Sequence, residues 1–297
     1  MEILKAIIIA VVQGITEFIP VSSSGHIILL KKILGLEVNQ SFDIILHMGT
    51  LVSVVFVFRK ELIEMFTGVF HSNINSKLYG VDIKRKSTMK IWLFYIIATI
   101  PAGISGLLLK DYFDKTPSEM NRPFFILLST CFCITAILLL ISRFIRYKKT
   151  DNILTMGYTQ ALTIGLFQAI GVLPGVSRSG STIFGAIASG INREDAARFS
   201  FILSIPIILA SFLLDIVKAI GSGISSGTNT ATISELTAVS SNIIPINLVG
   251  FFVALITGYF SLVLLLKLIK TGKLWFFAIY LIIPATTSLI ISLSMKS

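Results

Sequence analysis

Two short stretches carry most of the chemistry in a chain that is otherwise apolar. The first, Gln13 to His26, reads QGITEFIPVSSSGH; the second, Pro174 to Thr182, reads PGVSRSGST. Gln13 and Glu17 stand four residues apart and share one face of a helix. A carboxylate at membrane depth is costly and marks function by default; the alternative is an interfacial Glu that snorkels or caps a neighbour. Beyond Pro20, the hydroxyls of Ser22, Ser23 and Ser24 converge with Gly25 and His26 on one turn. These serines also suit the N-cap of a second helix, which accounts for them but not for His26. In the second stretch, Gly175 and Gly180 let backbone N–H groups line a concavity. Ser177, Ser179, Ser181 and Thr182 add hydroxyls near a helix start, where free amides bind anions. Arg178 supplies a planar cation suited to phosphate; the alternative is a structural pair with a carboxylate.

These residues need a scaffold that brings them together, and the sequence repeats itself. Shifted by 155 positions, Gln13 falls on Gln168, Ile15 on Ile170, Val21 on Val176, Ser22 on Ser177, Ser24 on Ser179 and Gly25 on Gly180. Shared apolar composition does not produce matched Gln, Ser and Gly, so the chain reads as a duplication. The halves are 1–150 and 151–297. Each opens with a motif region, 3–36 or 155–191, followed by three spans. Pro20 and Pro174–Gly175 break the motif regions into helix–break–helix. The arms are short for a full crossing, so each region is expected to be re-entrant. The spans are 42–58, 91–109, 123–142, 199–217, 243–266 and 274–294. The predicted fold class is an all-α polytopic membrane protein with an inverted-topology repeat, six spanning helices and two re-entrant regions. The repeat holds at the scaffold and breaks at the reactive positions: Glu17 faces Val172, Ser23 faces Arg178 and His26 faces Ser181. One half supplies acid, base and hydroxyl, the other a cation and an anion cradle, which together suit phosphate chemistry. Asp43 and His47, also four apart, are read as a solvated helix end or the mouth of the site.

Composition sets the solvent. Of 297 residues, 54% are hydrophobic and 13% charged, and mean hydropathy is +0.89. Soluble domains carry roughly 25% charged residues. None of the spans alternates as a barrel strand would. The net charge of +10 does not point to nucleic acid, because the positives follow the loops and form no stripe interleaved with aromatics. Of 25 Lys and Arg, 16 fall in the connections 59–90, 143–151, 192–198 and 267–273. Such loops stay inside. This parity sends the first motif region in from outside and the second from the cytoplasm, and leaves 218–242 outside. Cys131 and Cys133 lie in one span and lack the partners of a zinc site. No cleavable signal peptide is evident.

The two motifs resemble those of the undecaprenyl-diphosphate phosphatases of the bacitracin-resistance type. QGITEFIPVSSSGH matches that family's (E/Q)xxxE box and serine–histidine turn, and PGVSRSGST its PGxSRSxxT box. Length, duplication and span pattern agree, so the resemblance covers essentially the whole chain. It implies hydrolysis of undecaprenyl diphosphate to the monophosphate and inorganic phosphate. That activity recycles the lipid carrier for peptidoglycan and opposes bacitracin. It further implies a divalent cation, Mg²⁺ or Ca²⁺, held by Gln13 and Glu17, and a site open to the outer face of the bacterial plasma membrane. Carried over, the catalytic set is Glu17, Ser23, His26 and Arg178. The diphosphate-binding set is Ser22, Ser24, Gly175, Ser177, Ser179, Gly180 and Thr182. Gln13 stands where the family also allows Glu, so its role cannot need a negative charge. Ser23, His26 and water stay open as nucleophiles. The expected partners are the polyprenyl diphosphate and membrane lipid, with no nucleic acid; a homodimer is one option for the oligomeric state. Phosphatases of the phosphatidic-acid type share SGH and SR boxes, but Phe184 stands where their second histidine belongs. A transporter or flippase of a polyprenyl phosphate is the alternative from another class, because it would share the inverted-repeat fold, although a plain transporter needs no such reactive set.

Overall fold

A computed structural model describes residues 2–35, 40–70, 73–76, 81–109, 121–145, 153, 155–225 and 243–295. The first motif region forms α1 (Glu2–Phe18) and α2 (Ser23–Leu34), and the second forms α7 (Tyr158–Ile170) and α8 (Arg178–Ala188). Between them run α3 (Gln40–Val57), α4 (Arg59–Phe70), α5 (Arg85–Leu108) and α6 (Arg122–Ile141). After them run α9 (Arg193–Ser225), α10 (Ile243–Lys270) and α11 (Trp275–Ser294). Among the described residues, five helices are long and apolar enough to cross a membrane, and α3 with α4 passes only as a pair bent by 71°. Side chains such as Phe252, Phe260 and Ile290 are more than half exposed on their outer faces, as expected where lipid is the solvent. The protein is therefore an all-α multi-pass membrane protein, as the composition predicts. Parts of the connections read as inside and outside loops, including 146–152 and 226–242, lie outside the described residues.

The basic connection 59–90 is more structured than a loop. The apolar run of α3 ends where Arg59, Lys60 and Glu61 begin, and the chain bends at Phe58 and continues as α4. Trp92 on α5 donates from Nε1 to Met65 O at 3.0 Å and ties α4 down. An antiparallel hairpin, β1 (Asn73–Ser76) with β2 (Val81–Lys84), completes the connection. The connection read from the sequence only as a basic inside loop thus carries a helix and a hairpin.

Packing exchanges partners between the halves. α1 lies on α10, α7 lies on α5, and α6 packs along α11. Glycines allow the close approaches: a Cβ on Gly14 would sit 1.9 Å from Thr257 Oγ1 on α10, and one on Gly165 would sit 2.8 Å from Ala98 O on α5. α6 and α11 are joined by two reciprocal bonds, Ser129 Oγ to Ala285 O at 2.8 Å and Ser288 Oγ to Phe125 O at 2.7 Å. The buried aromatics Phe94, Phe125, Phe132, Phe199 and Phe201 fill the core around these pairs.

Candidate active site

The breaks between α1 and α2 and between α7 and α8 meet tip to tip. A Cβ on Gly25 would lie 3.1 Å from Gly175 Cα, and one on Gly180 would lie 3.2 Å from Pro20 Cβ. In the 155-residue register Gly25 matches Gly180 and Pro20 matches Gly175, so the two contacts are exchanged counterparts. Local hydrogen bonds repeat as well. Ser22 Oγ caps α2 by accepting from Gly25 N at 3.3 Å, and Ser177 Oγ caps α8 by accepting from Gly180 N at 3.0 Å. The backbones differ at one point: Ser22 has φ +71° whereas Ser177 has φ −75°. A serine in the left-handed half of the map costs about 1–3 kcal/mol and persists only where its surroundings hold it. His26 does so, since its Nδ1–H donates to Ser22 O at 2.7 Å.

This junction carries the reactive residues. Glu17, on the last turn of α1, has a side chain only 4% exposed. Its Oε1 accepts from the Arg178 guanidinium. Its Oε2 accepts from Ser23 Oγ at 2.5 Å and from Gln13 Nε2 at 3.0 Å. Hence Arg178 is both the site's cation and the partner of a carboxylate. Proximity alone does not make the pair purely structural, because the Arg178 side chain stays 22% exposed to the cavity. That cavity holds about 610 Å³. Glu17, Ser22, Ser23, Ser24, Ser177 and Arg178 are among the polar groups that line it. Small and apolar residues of α5 and α9, among them Gly103, Gly106, Leu107, Ile207 and Leu214, also line it. A polar head group and an apolar tail would both find matching surface.

Other residues singled out in the sequence stand elsewhere. His26 does not line this cavity: it stacks on Tyr280 of α11, with ring centroids 5.6 Å apart, and its Nε2 meets Tyr280 Oη at 2.9 Å. Gly175 lies in the break and Ser179, Gly180 and Thr182 in the first turns of α8, and none of them lines the cavity. Gly175 adopts φ +92° where a Cβ would strike Cys131 and Leu128, and Thr182 bonds Ser200 of α9. Asp43 pairs with Lys31 at 2.6 Å. His47, one turn beyond it, turns instead into the site, with Nδ1 at 3.0 Å from Gln13 Nε2. The i, i+4 spacing of Asp43 and His47 was the available signal, but it could not say that the two would face different partners.

Gln13 and Glu17 do not fit a bound Mg²⁺ or Ca²⁺ in this arrangement. Gln13 turns its NH₂ group to Glu17, while its Oε1 is buried without a partner. Glu17 has both oxygens engaged, one of them by a guanidinium. The pair therefore offers no two free oxygens to one point, and these cations take six or more oxygen ligands. Among the described residues no three His, Cys, Asp or Glu side chains gather to hold a metal.

Comparison with known proteins agrees with this geometry. The model of the family described as bacitracin resistance protein BacA matches residues 6–287. A protein of Treponema denticola named undecaprenyl-diphosphatase is 41% identical, over 95% of this chain and 94% of its own. Proteins of the same name from Methanosphaera stadtmanae and Carboxydothermus hydrogenoformans are 38% and 35% identical. These alignments cover 98% of this chain and 99% of the relative in the first case, and the whole of both in the second. On this evidence the chain belongs to the bacitracin resistance protein BacA family.

Proposed function

We propose that this protein hydrolyses undecaprenyl diphosphate to undecaprenyl phosphate and inorganic phosphate, and so recycles lipid carrier for peptidoglycan synthesis and opposes bacitracin. One observation carries the reading: Glu17, Ser23 and Arg178 meet in the wall of a cavity that small and apolar residues of α5 and α9 also line. The relatives' shared name supports it, and no observation favours a flippase. Phosphoryl transfer is chiefly positioning and charge stabilisation. Arg178 would bind the terminal phosphate, helped by Ser22, Ser24 and Ser177 around it. Glu17 Oε2 is placed to accept a proton from Ser23 Oγ or from a water in its place. The oxygen so activated attacks the terminal phosphorus, and the bond to the bridging oxygen breaks. Direct attack by water releases inorganic phosphate; attack by Ser23 leaves a phosphoserine that water then cleaves. His26 acts in this reading by holding Ser22 and the turn, and the apolar walls of α5 and α9 take the isoprenoid.

The duplicated halves, 1–150 and 151–297, are part of the proposal, supported by the exchanged contacts at the two breaks. So are the re-entrant path of both motif regions, the plasma-membrane location, the outward opening and the homodimer. A divalent cation is retained as a dependence to be measured. Purified protein with undecaprenyl diphosphate in detergent is expected to release phosphate and lipid monophosphate in equal amounts, with a chelator arm testing the cation. Absence of release, with and without added Mg²⁺ or Ca²⁺, would sink the proposal.

A further inference from the structure

His47 stands in the cavity wall with no part in the chemistry assigned to Glu17, Ser23 and Arg178, yet its surroundings fix where its proton sits. Gln13 Nε2 lies 3.0 Å from Glu17 Oε2 and 3.0 Å from His47 Nδ1. An ionised carboxylate only accepts, so Gln13 must present its NH₂ group, not its oxygen, to Glu17. The second hydrogen of that NH₂ group then faces His47 Nδ1, which must accept it. His47 Nδ1 is 3.6 Å from Glu17 Oε2, too far for a direct hydrogen bond. Neutral His47 therefore carries its proton on Nε2. The side chain is 37% exposed and lines the main cavity. With Arg178 and Ser211 it also borders an adjoining cavity of about 150 Å³. Among the described side chains, the charged groups around it are Glu17 from α1 and Arg178 from α8. Asp43, on its own helix, is tied to Lys31, and α9 contributes the neutral Ser211.

We propose, resting on the hydrolase reading, that His47 is a further catalytic residue whose Nε2–H donates a hydrogen bond to the oxygen bridging the two phosphates. As that P–O bond breaks, its electron pair stays on the departing lipid monophosphate. The attacking oxygen bonds to the terminal phosphorus, and its proton passes to Glu17. The leaving group is a phosphate whose second pKa is about 6, so it departs as an anion and needs no proton from His47. A fixed neutral donor suffices, since it stabilises the charge as it develops. This also gives Gln13 its task, which needs an amide rather than a negative charge: it orients the imidazole.

The test uses the whole protein in detergent, with ¹⁵N-labelled histidine and methylenediphosphonate as a non-hydrolysable probe. The His47 signals, assigned by their loss in His47→Gln, are expected to show an Nε2–H tautomer and to move when the probe binds. With farnesyl diphosphate as substrate, His47→Phe is expected to lower kcat about 100-fold while KM changes less than about threefold. His47→Gln offers Gln13 an acceptor and the cavity a donor, so it should recover to within about tenfold of the parent rate. An Nδ1–H tautomer, signals that ignore the probe, or a folded His47→Phe within about threefold of the parent would overturn the assignment. If the unmodified protein releases no phosphate, the hydrolase reading fails, and the spectra alone decide whether His47 meets phosphate.

Discussion

Removing Arg178 should damage the fold more than removing its partner as well. Glu17 is 4% exposed and its Oε1 accepts from Arg178. In Arg178→Ala that carboxylate keeps Ser23 and Gln13 as donors but loses its balancing charge. Breaking a buried pair from one side costs about 3–5 kcal/mol, and the two surviving donors place this case near about 3 kcal/mol. Glu17→Gln leaves Arg178, 22% exposed to a cavity, where water can solvate it. Its cost is about 1.5–2 kcal/mol, that of lost hydrogen bonds to a charged group. In Glu17→Gln/Arg178→Ala no charge is left stranded, so the double variant should be more stable than Arg178→Ala by about 1 kcal/mol or more. The assay is thermal unfolding of purified protein in one detergent at one scan rate. At about 2–4 °C per kcal/mol, Arg178→Ala should unfold about 6–12 °C below the parent, with the double variant recovering part of that loss. A double variant no more stable than Arg178→Ala would refute the reasoning, because Glu17 would then not be a buried charge that depends on Arg178.

Other consequences can be checked with the same material. A Cβ on Gly14 meets Thr257 at 1.9 Å whereas one on Gly103 meets nothing within 4 Å; Gly14→Ala should therefore lower the unfolding temperature and Gly103→Ala should leave it nearly unchanged. Ser22→Gly gives up a 3.3 Å cap bond but relieves the positive φ, so it should be neutral or stabilising. Ser22→Ala loses the cap and keeps the strain, and should cost about 1 kcal/mol in the same measurement. Gly103→Trp would fill the cavity along its α5 wall, so it should raise KM for undecaprenyl diphosphate far more than for farnesyl diphosphate in parallel assays.

Much of the architecture could be read from the chain because the bilayer imposes it. Long apolar stretches without alternation admit one solution, a helix, and six helical segments fall where those stretches lie. The breaks were legible because Pro20 and Pro174–Gly175 stand beside serine and glycine runs that favour a cap and a turn, whereas Pro101, Pro206 and Pro284, set in unbroken apolar runs, lie inside helices. The 59–90 segment was not, because a basic composition does not distinguish a loop from a helix and hairpin. At the site, the meeting of Glu17, Ser23 and Arg178 followed from matching one break onto the other. The serines were harder to sort: the same hydroxyl that could hold phosphate can cap a helix, and Ser179 and Thr182 bond within the scaffold. His26 and His47 show the limit most clearly. Both sit near the motif in space, but only the direction of each helix decides that one turns to Tyr280 and the other to Gln13.

The account stands most directly on the rates of folded single variants. Purified protein, Glu17→Gln and Arg178→Ala would each be given undecaprenyl diphosphate, with phosphate release followed under conditions where all three remain folded. The expected result is steady release by the parent and a fall in kcat of at least about 100-fold in each variant. Release by either folded variant within about threefold of the parent would contradict the claim that the cavity between the two breaks is the active site.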